Sequence, residues 1–538
     1  MKSFFLLILT LFTLLGHSQS PSRPRLVVGL VIDQMRWDFL YRYNERYGTD
    51  GFKRLLREGA SCENNLINYT PSHTGAGHAG IYTGSVPAVH GIMGNYWYHR
   101  DLKRNFYCCE DTTAVTVGSS SSAGKMSPVN MWGSTISDEL KISTNFRSKT
   151  ISIALKDRGS ILPGGHTANA AYWFDNASGG WISSSFYMKE LPEWAQKLNS
   201  KKMPDQYIAK GWNTLYPLST YKQSTPDSNR YEARLTGGDF TFPHIIPATS
   251  SNKYETFRYL PGAMTFTFDM AKAAMEGEKL GKGDVTDFLA LSISTTDYAG
   301  HSFGPNSIEI EDMYLRLDQD IANFLKHLDQ TIGKGQYLIF LSADHGVANN
   351  PYFLLDNKVP VGIFDEAKVR KDLNELVQKE FGVAGIIETW INYQCYLNHS
   401  IIARNNLDRK KIVNVIMKFL MKQQAVSSVA DLADLNHSQL QDHVKTKLVN
   451  GYNQRFSGDI QYILKPQWFE TWRTGSSHGA WNPYDAHIPL IFMGWKVKPG
   501  KVYRETYMED IAPTICAMLN IQRPSGCVGK VIEEVIRP

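Results

Sequence analysis

The chain has 538 residues, with 57 Lys and Arg against 52 Asp and Glu, a formal charge of +5. That length holds one large α/β domain with insertions or two to three ordinary domains, and excludes a fold too small for a deep core. The small, spread-out charge gives no electrostatic surface for a nucleic-acid partner, and no internal repeats or low-complexity tracts interrupt the sequence.

Lys2, the apolar run Phe4 to Leu15 and the small residues Gly16, Ser18 and Ser20 follow the basic, apolar and cleavage regions of a secretory signal peptide over residues 1–20. The run is shorter than the roughly 20 apolar residues that span a bilayer, and no Cys follows it for lipid attachment. The mature chain is expected to start near Gln19 or Pro21, to be periplasmic or secreted, and to make no stable membrane insertion. Six Cys residues (Cys62, Cys108, Cys109, Cys395, Cys516, Cys527) could pair in an exported protein, or remain as buried free thiols. Their spacing fixes no pairing and forms no Cys/His metal cluster.

Leu26 to Ile32 is a continuous apolar, β-branched run ending in Asp33, as expected of a strand buried on both faces of a parallel sheet. Next comes Pro71-Ser-His-Thr-Gly-Ala-Gly-His-Ala-Gly-Ile-Tyr-Thr-Gly84, continued by His90-Gly-Ile-Met-Gly-Asn95. Thr74 stands just before a run, His78 to Thr83, that reads as helical. Its hydroxyl is expected near the exposed N–H groups of a helix start, a place that suits an anion. Such a hydroxyl is a poor nucleophile at neutral pH unless a base or a metal ion assists it, and capping a helix is its commoner use.

The strand pattern recurs. Thr150 to Leu155 runs into Lys156 and Arg158, Phe288 to Ser294 into Asp297 and His301, and Tyr337 to Leu341 into Asp344 and His345; His487 to Met493 follows shortly after His478. Ionisable residues at several strand ends are expected to converge on one edge of a parallel sheet, where open α/β sheets carry their ligands. Between the strands, Ser307 can cap a helix with apolar Ile310, Met313, Tyr314, Leu317, Ile321, Phe324, Leu325 and Leu328, and Tyr507 to Leu519 reads as another covering helix.

Two stretches break the alternation. One, about 164–262, is rich in aromatics, Gly and Ser, with Ala171 to Asp175 and Trp181 to Tyr187 flanking a turn as in a hairpin. The other, about 357–472, carries charged amphipathic helices such as Val369 to Phe381 and Lys410 to Lys422. Both are read as subdomains inserted into a single catalytic domain over 21–538, the second covering the site.

Asp33, Asp297, His301, Asp344, His345 and His478 supply six N and O ligands, and Thr74 adds a hydroxyl. That is enough for two Zn²⁺ ions, with other divalent metals possible in the absence of thiolates. The order of these residues, with Thr-Gly-Ala-Gly-His around Thr74, Gly94-Asn95, and Leu155-Lys-Asp-Arg-Gly159, resembles the PafA-type alkaline phosphatases of the bacterial periplasm. These are Thr-nucleophile members of the alkaline phosphatase superfamily of two-metal phosphoryl and sulfuryl transferases. The likeness covers essentially the whole mature chain, including Tyr172 to Asp175 and the Gly475 to Gly479 loop.

The resemblance implies a mostly parallel central sheet flanked by helices, with two inserted subdomains. It implies one zinc held by Asp297, His301 and His478, and another by Asp33, Asp344, His345 and the Thr74 oxygen. Thr74 would be the nucleophile, and Asn95, Lys156 and Arg158 would hold the other phosphoryl oxygens. Substrates would be small-molecule phosphate monoesters over a broad range, with inorganic phosphate as a product inhibitor. His73 and His78 fall outside the implied ligands and read as structural or as side chains that support the ligands from behind.

A phosphodiesterase or nucleotide pyrophosphatase of the same superfamily shares the metal ligands and a Thr, but Lys156-Asp-Arg158 argues for monoesters. A sulfatase would need a Cys/Ser-x-Pro-x-Arg setting that the Thr74 segment lacks. An exported phosphate- or glycan-binding protein without turnover is opposed by retention of every candidate ligand together with the nucleophile.

Overall fold

The computed structural model describes residues 23–235, 240–470 and 473–536; the expected signal peptide lies outside the described residues. Among these, a ten-stranded sheet runs in the order Gly500–Val502, Ala60–Cys62, Leu490–Gly494, Tyr337–Ser342, Leu26–Ile32, Asp287–Ile293, Thr150–Ala154, Ala170–Asp175, Gly180–Ser184, Thr116–Val117. The block from Tyr337–Ser342 to Ala170–Asp175 is parallel. Its strands are buried along their whole length because helices cover both faces, which is why they read as unbroken apolar runs rather than alternating ones.

Register decides what these strands can bring together. Ile32 pairs with Ile293, Val31 with Ser342, and Ser292 with Ala154. The strands therefore end nearly flush, and Asp33, Lys156, Asp297 and Asp344, which follow these ends, arrive at one edge. The 21-residue helix Ile308–Leu328 packs against the sheet, starting where the Ser307 hydroxyl accepts from Ile310 N–H at 3.2 Å. Such a cap contributes about 1 kcal/mol. All eight apolar positions expected on its inner face are buried.

One strand's direction departs from the sequence reading, and the expected hairpin takes a place in the main sheet. The strand after His478 occupies Leu490–Gly494 and lies antiparallel to Tyr337–Ser342. Its N-terminal end, not its C-terminal end, therefore lies at the ligand edge, and this is what lets His478, which precedes the strand, reach the same edge. The hairpin pairs Ala170–Asp175 with Gly180–Ser184, and its first strand lies parallel to Thr150–Ala154. It therefore widens the main sheet instead of folding as a separate layer.

Residues from the 357–472 stretch form a four-stranded antiparallel sheet, Ile387–Ile391, Gln394–Leu397, Ile460–Leu464, Val426–Asp431, in that spatial order. Helices Glu366–Phe381 and Arg409–Met421 pack on it over a separate core that includes Leu373, Ile412, Ile416, Leu420 and Tyr462. This unit reaches the main domain through Phe456, which packs against Trp97 and Trp132, and through polar contacts. Arg100 donates to Asp459 at 2.9 Å, Asn450 to the Asn68 carbonyl at 2.6 Å, and Lys447 to the Ile67 carbonyl, just upstream of the Thr74 segment. All six Cys residues are free thiols, and all but Cys527 are buried.

Burial lowers the Lys447 ammonium to about 8, against an ordinary value of 10.5. Between those two values the unfolded chain holds a proton that the folded chain has released. Stability attributable to Lys447 is therefore present above the unfolded value and is lost as pH falls from there through about 8, a difference on the order of 3 kcal/mol. Urea unfolding at pH 7.5 and pH 10.5 should show this rise for the native chain, with a correspondingly smaller rise for Lys447→Met. Equal pH dependence in the two proteins would contradict it.

Candidate active site

Thr74 is the first residue of the helix Thr74–Thr83. His73 precedes it in an extended conformation, and no side chain caps the helix start. Gly77 is dictated by packing: a Cβ there would lie 2.4 Å from the Asp344 carbonyl. The helix start can thus press directly against the strand-end loop bearing Asp344 and His345. The Thr74 hydroxyl is buried, 3.4 Å from His345 Nε2 and 3.3 Å from Lys156 Nζ. Asn95 Oδ1 accepts from the Gly75 N–H at 2.9 Å, which holds its amide beside the helix start.

The histidines are all oriented in one way. The Nδ1 of His345 faces the Gly346 carbonyl at 3.0 Å, that of His478 the Ser72 carbonyl at 2.8 Å, and that of His301 the Ser476 carbonyl at 2.9 Å. A carbonyl only accepts, so each Nδ1 carries a proton and each Nε2 is turned inward, where a neutral ring presents a lone pair. Those nitrogens meet carboxylate oxygens: His301 Nε2 lies 3.2 Å and His478 Nε2 3.7 Å from Asp297 Oδ1, while His345 Nε2 lies 3.6 Å from Asp33 Oδ1 and 3.4 Å from Asp344 Oδ2. Asp33 Oδ1 and Asp344 Oδ2 have no hydrogen-bond partner among the described residues.

Lone pair facing lone pair in a buried site calls for a cation. Ligand atoms of Asp33, Asp344 and His345 all lie within 4.8 Å of one another, as do those of Asp297, His345 and His478. Either group could hold a divalent metal of zinc type. One imidazole nitrogen serves one ion, so a pair of ions would require a further imidazole beside Asp297 and His478. His301 stands where it could supply it.

Electrostatics agree with that reading. Burial, reinforced by Asp344 and opposed by Lys156, raises Asp33 well above the usual carboxylate range; burial also brings Asp344 up to about 6. For Asp297, burial acts upward but His301 and Lys156 outweigh it and hold the carboxyl well below its ordinary value; burial acts downward on His301, but Asp297 outweighs it and raises that ring, so without a metal the two form an ion pair that a cation would replace. Burial lowers His345 to about 4 and holds His478 well below its ordinary value, so both rings stay neutral, as ligands must be.

Lys156 caps the helix Asp157–Gly164 at the end of its strand and places its ammonium 2.7 Å from Asp33 Oδ2 and 2.5 Å from Asp297 Oδ2. Arg158 sits one step into that helix. Its Nη1 donates to Tyr107 OH at 3.2 Å, Tyr107 in turn donates to Asp157 at 2.5 Å, and Arg158 Nε has no partner among the described residues. His78 is buried outside the ligand groups, bonded to the Thr74 carbonyl at 2.9 Å and to Ser292 Oγ at 2.9 Å. A cavity of about 500 Å³ opens beside the site, lined by His73 and His478 on one side and by Phe364, Asn392 and Tyr393 on the other.

All the residues singled out from sequence thus lie at or beside one sheet edge. Two that sequence reasoning missed are Gln34 and Tyr107. Gln34 follows a ligand candidate directly, which was a usable signal; Tyr107 arrives from a hairpin with nothing in its own stretch to point to it.

A model of the type I phosphodiesterase / nucleotide pyrophosphatase family matches residues 27–485. The chain is 51% identical to a Myroides odoratus protein named calcium-transporting ATPase, over 96% of each chain. It is 51% identical to alkaline phosphatase PhoV of Synechococcus elongatus, over 96% of this chain and 94% of that one, and 44% identical to alkaline phosphatase PafA of Elizabethkingia meningoseptica over 99% of each. A crystal structure of wild-type PafA superposes with a TM-score of 0.94 at 45% identity, covering 96% of this chain and 100% of that one.

The chain belongs to the alkaline phosphatase superfamily, in the type I phosphodiesterase / nucleotide pyrophosphatase family. Within it the chain is of the PafA type of bacterial alkaline phosphatase, a phosphatase enzyme. Among the described residues no helix is long and apolar enough to cross a membrane.

Proposed function

We propose that the protein is an exported, two-zinc alkaline phosphatase that hydrolyses phosphate monoesters of small molecules through a phospho-threonine at Thr74. A single catalytic domain over 21–538 would carry it, with the 164–262 and 357–472 stretches as insertions and the second covering the site. The observation that carries this reading is the convergence of inward-facing imidazole Nε2 atoms and partnerless carboxylate oxygens around the buried Thr74 hydroxyl.

Asp297, His301 and His478 would hold one zinc, and Asp33, Asp344, His345 and Thr74 the other. When bound, the two ions supply Lewis-acid stabilisation to the attacking and departing oxygens of an in-line displacement. The chain's own part begins with Thr74 Oγ1, which forms a bond to phosphorus as the bond from phosphorus to the alcohol oxygen breaks; the alcohol leaves with a proton. Lys156, Arg158 and the Asn95 amide hold the other phosphoryl oxygens, Arg158 through its fork of donors and Lys156 as a compact charge. Water then attacks phosphorus, the bond to Oγ1 breaks, and phosphate departs with the hydroxyl restored. Phosphate retains contacts to the same groups, so it should act as a competitive product inhibitor.

A monoester carries one more anionic oxygen than a diester, and Lys156 beside Thr74 favours it. The matching family model also describes diesterases, so paired kcat/KM values for an aryl phosphate monoester and its methyl diester test the reading. A monoester preference supports it; a diester preference moves the chain to the phosphodiesterase branch. Metal removal gives a second test. Dialysis against a strong chelator should abolish turnover, and Zn²⁺ should restore it. Full activity in metal-free protein would end the two-metal reading.

A further inference from the structure

Gln34 directly follows Asp33 at the end of the central strand, at φ +66°. A non-glycine residue in this left-handed region is strained. The residue is 2% exposed, and its polar groups are divided between the two ligand groups. Its backbone N–H donates to Asp344 Oδ1 at 3.1 Å, and its side-chain Nε2 donates to Asp297 Oδ1 at 2.8 Å. Asp344 is grouped with Asp33 and His345, and Asp297 with His478.

The other end of the amide explains a glycine. Gln34 Oε1 packs over Gly300 in the helix Thr295–Phe303, where an added Cβ would lie 1.8 Å from it. Asp297 and His301 are on that same helix. The amide therefore fits into a gap in the helix while holding its carboxylate, and the orientation is chemically determined because a carboxylate only accepts.

We propose that Gln34 is a positioning residue that ties the two ligand groups together, fixing the Asp297 carboxylate relative to Asp344. The proposal rests on the two-metal reading above. Asp33, Asp297 and Asp344 repel one another across the site. Lys156 offsets that with charge, binding Asp33 and Asp297 through their Oδ2 atoms. Gln34 offsets it without charge and engages the Oδ1 of Asp297, the oxygen nearest His301 and His478 Nε2. A neutral donor leaves that oxygen anionic and with a lone pair for a metal, while removing the freedom of the carboxylate to rotate.

The informative variant is Gln34→Gly. Glycine adopts φ +66° without strain and keeps the N–H to Asp344, so only the amide to Asp297 is lost. Zinc affinities of the two sites would be measured by chelator competition, beside kcat, KM and the thermal midpoint. The expected result is one site unchanged and the other weakened by roughly 10- to 100-fold. Gly300→Ala, which would push the amide off Asp297 without touching a ligand, should weaken the same site, and the double variant should be no worse than Gln34→Gly alone. Two native zinc sites with unchanged affinities in Gln34→Gly, or additive losses in the double variant, would overturn the role of Gln34. A native chain holding fewer than two zinc ions would instead overturn the two-metal reading, and this proposal with it.

Discussion

Thr74→Ala should lower kcat/KM for an aryl phosphate monoester by on the order of 10⁴-fold or more and abolish the phospho-enzyme. The Thr74 hydroxyl is buried, sits at a helix start, and lies within 3.4 Å of His345 Nε2 and Lys156 Nζ. Developing negative charge on its oxygen would be met there by the ammonium, by the helix N-terminus and by a bound cation. Alanine fills almost the same volume and removes only the hydroxyl from its site, leaving Asp33, Asp344 and His345 in place, so a folded, zinc-binding but inactive protein is the expected product. Thr74→Ser keeps the oxygen and should retain far more activity. Acid quenching with labelled phosphate reads the intermediate directly, and label on any residue other than Thr74 would reassign the nucleophile.

Removal of Lys156 and Arg158 together should reduce monoesterase activity by roughly 10³- to 10⁴-fold while reducing diesterase activity far less. The reasoning is electrostatic: the extra anionic oxygen of a monoester needs cationic donors, whereas a diester presents an alkyl group at that position. Lys156 also pairs with Asp33 and Asp297, so its loss adds a smaller decrease shared by both activities on top of the monoester-specific one. Arg158 is bonded instead to Tyr107, which makes Arg158→Ala the cleaner single variant. It should lower monoester kcat/KM and weaken inhibition by inorganic phosphate with diester turnover nearly unchanged. Equal losses on both substrates would remove these residues from the selecting role.

The fold class and the edge that carries the site were legible because strands buried on both faces have no polar alternation to hide them. Leu26 to Ile32, Phe288 to Ser294 and Tyr337 to Leu341 each end close to an ionisable residue, and flush register converts those ends into one cluster. The sheet Ile387–Ile391, Gln394–Leu397, Ile460–Leu464, Val426–Asp431 was not legible. Its strands are short, two of them carry a register irregularity, and in spatial order they do not follow the chain. The helices Glu366–Phe381 and Arg409–Met421, by contrast, lie close to the expected spans because an apolar stripe at helical spacing is a local signal.

The sequence by itself singled out which residues a two-metal chemistry could draw on, with Asp33, Thr74, Asp297, His301, Asp344, His345 and His478 as a candidate ligand set with a hydroxyl, and Asn95, Lys156 and Arg158 as its candidate polar surround. Only the tertiary structure decided how they meet. The reversal of Leu490–Gly494 carries His478 to the right edge. The carbonyls of Ser72, Gly346 and Ser476 turn three imidazoles inward. Gln34 spans two carboxylates separated by 47 residues in sequence. Local patterns record burial and helical or strand period, which a chain writes residue by residue. Strand direction, ring orientation and bridging hydrogen bonds depend on partners far away along the chain, and no local pattern encodes them.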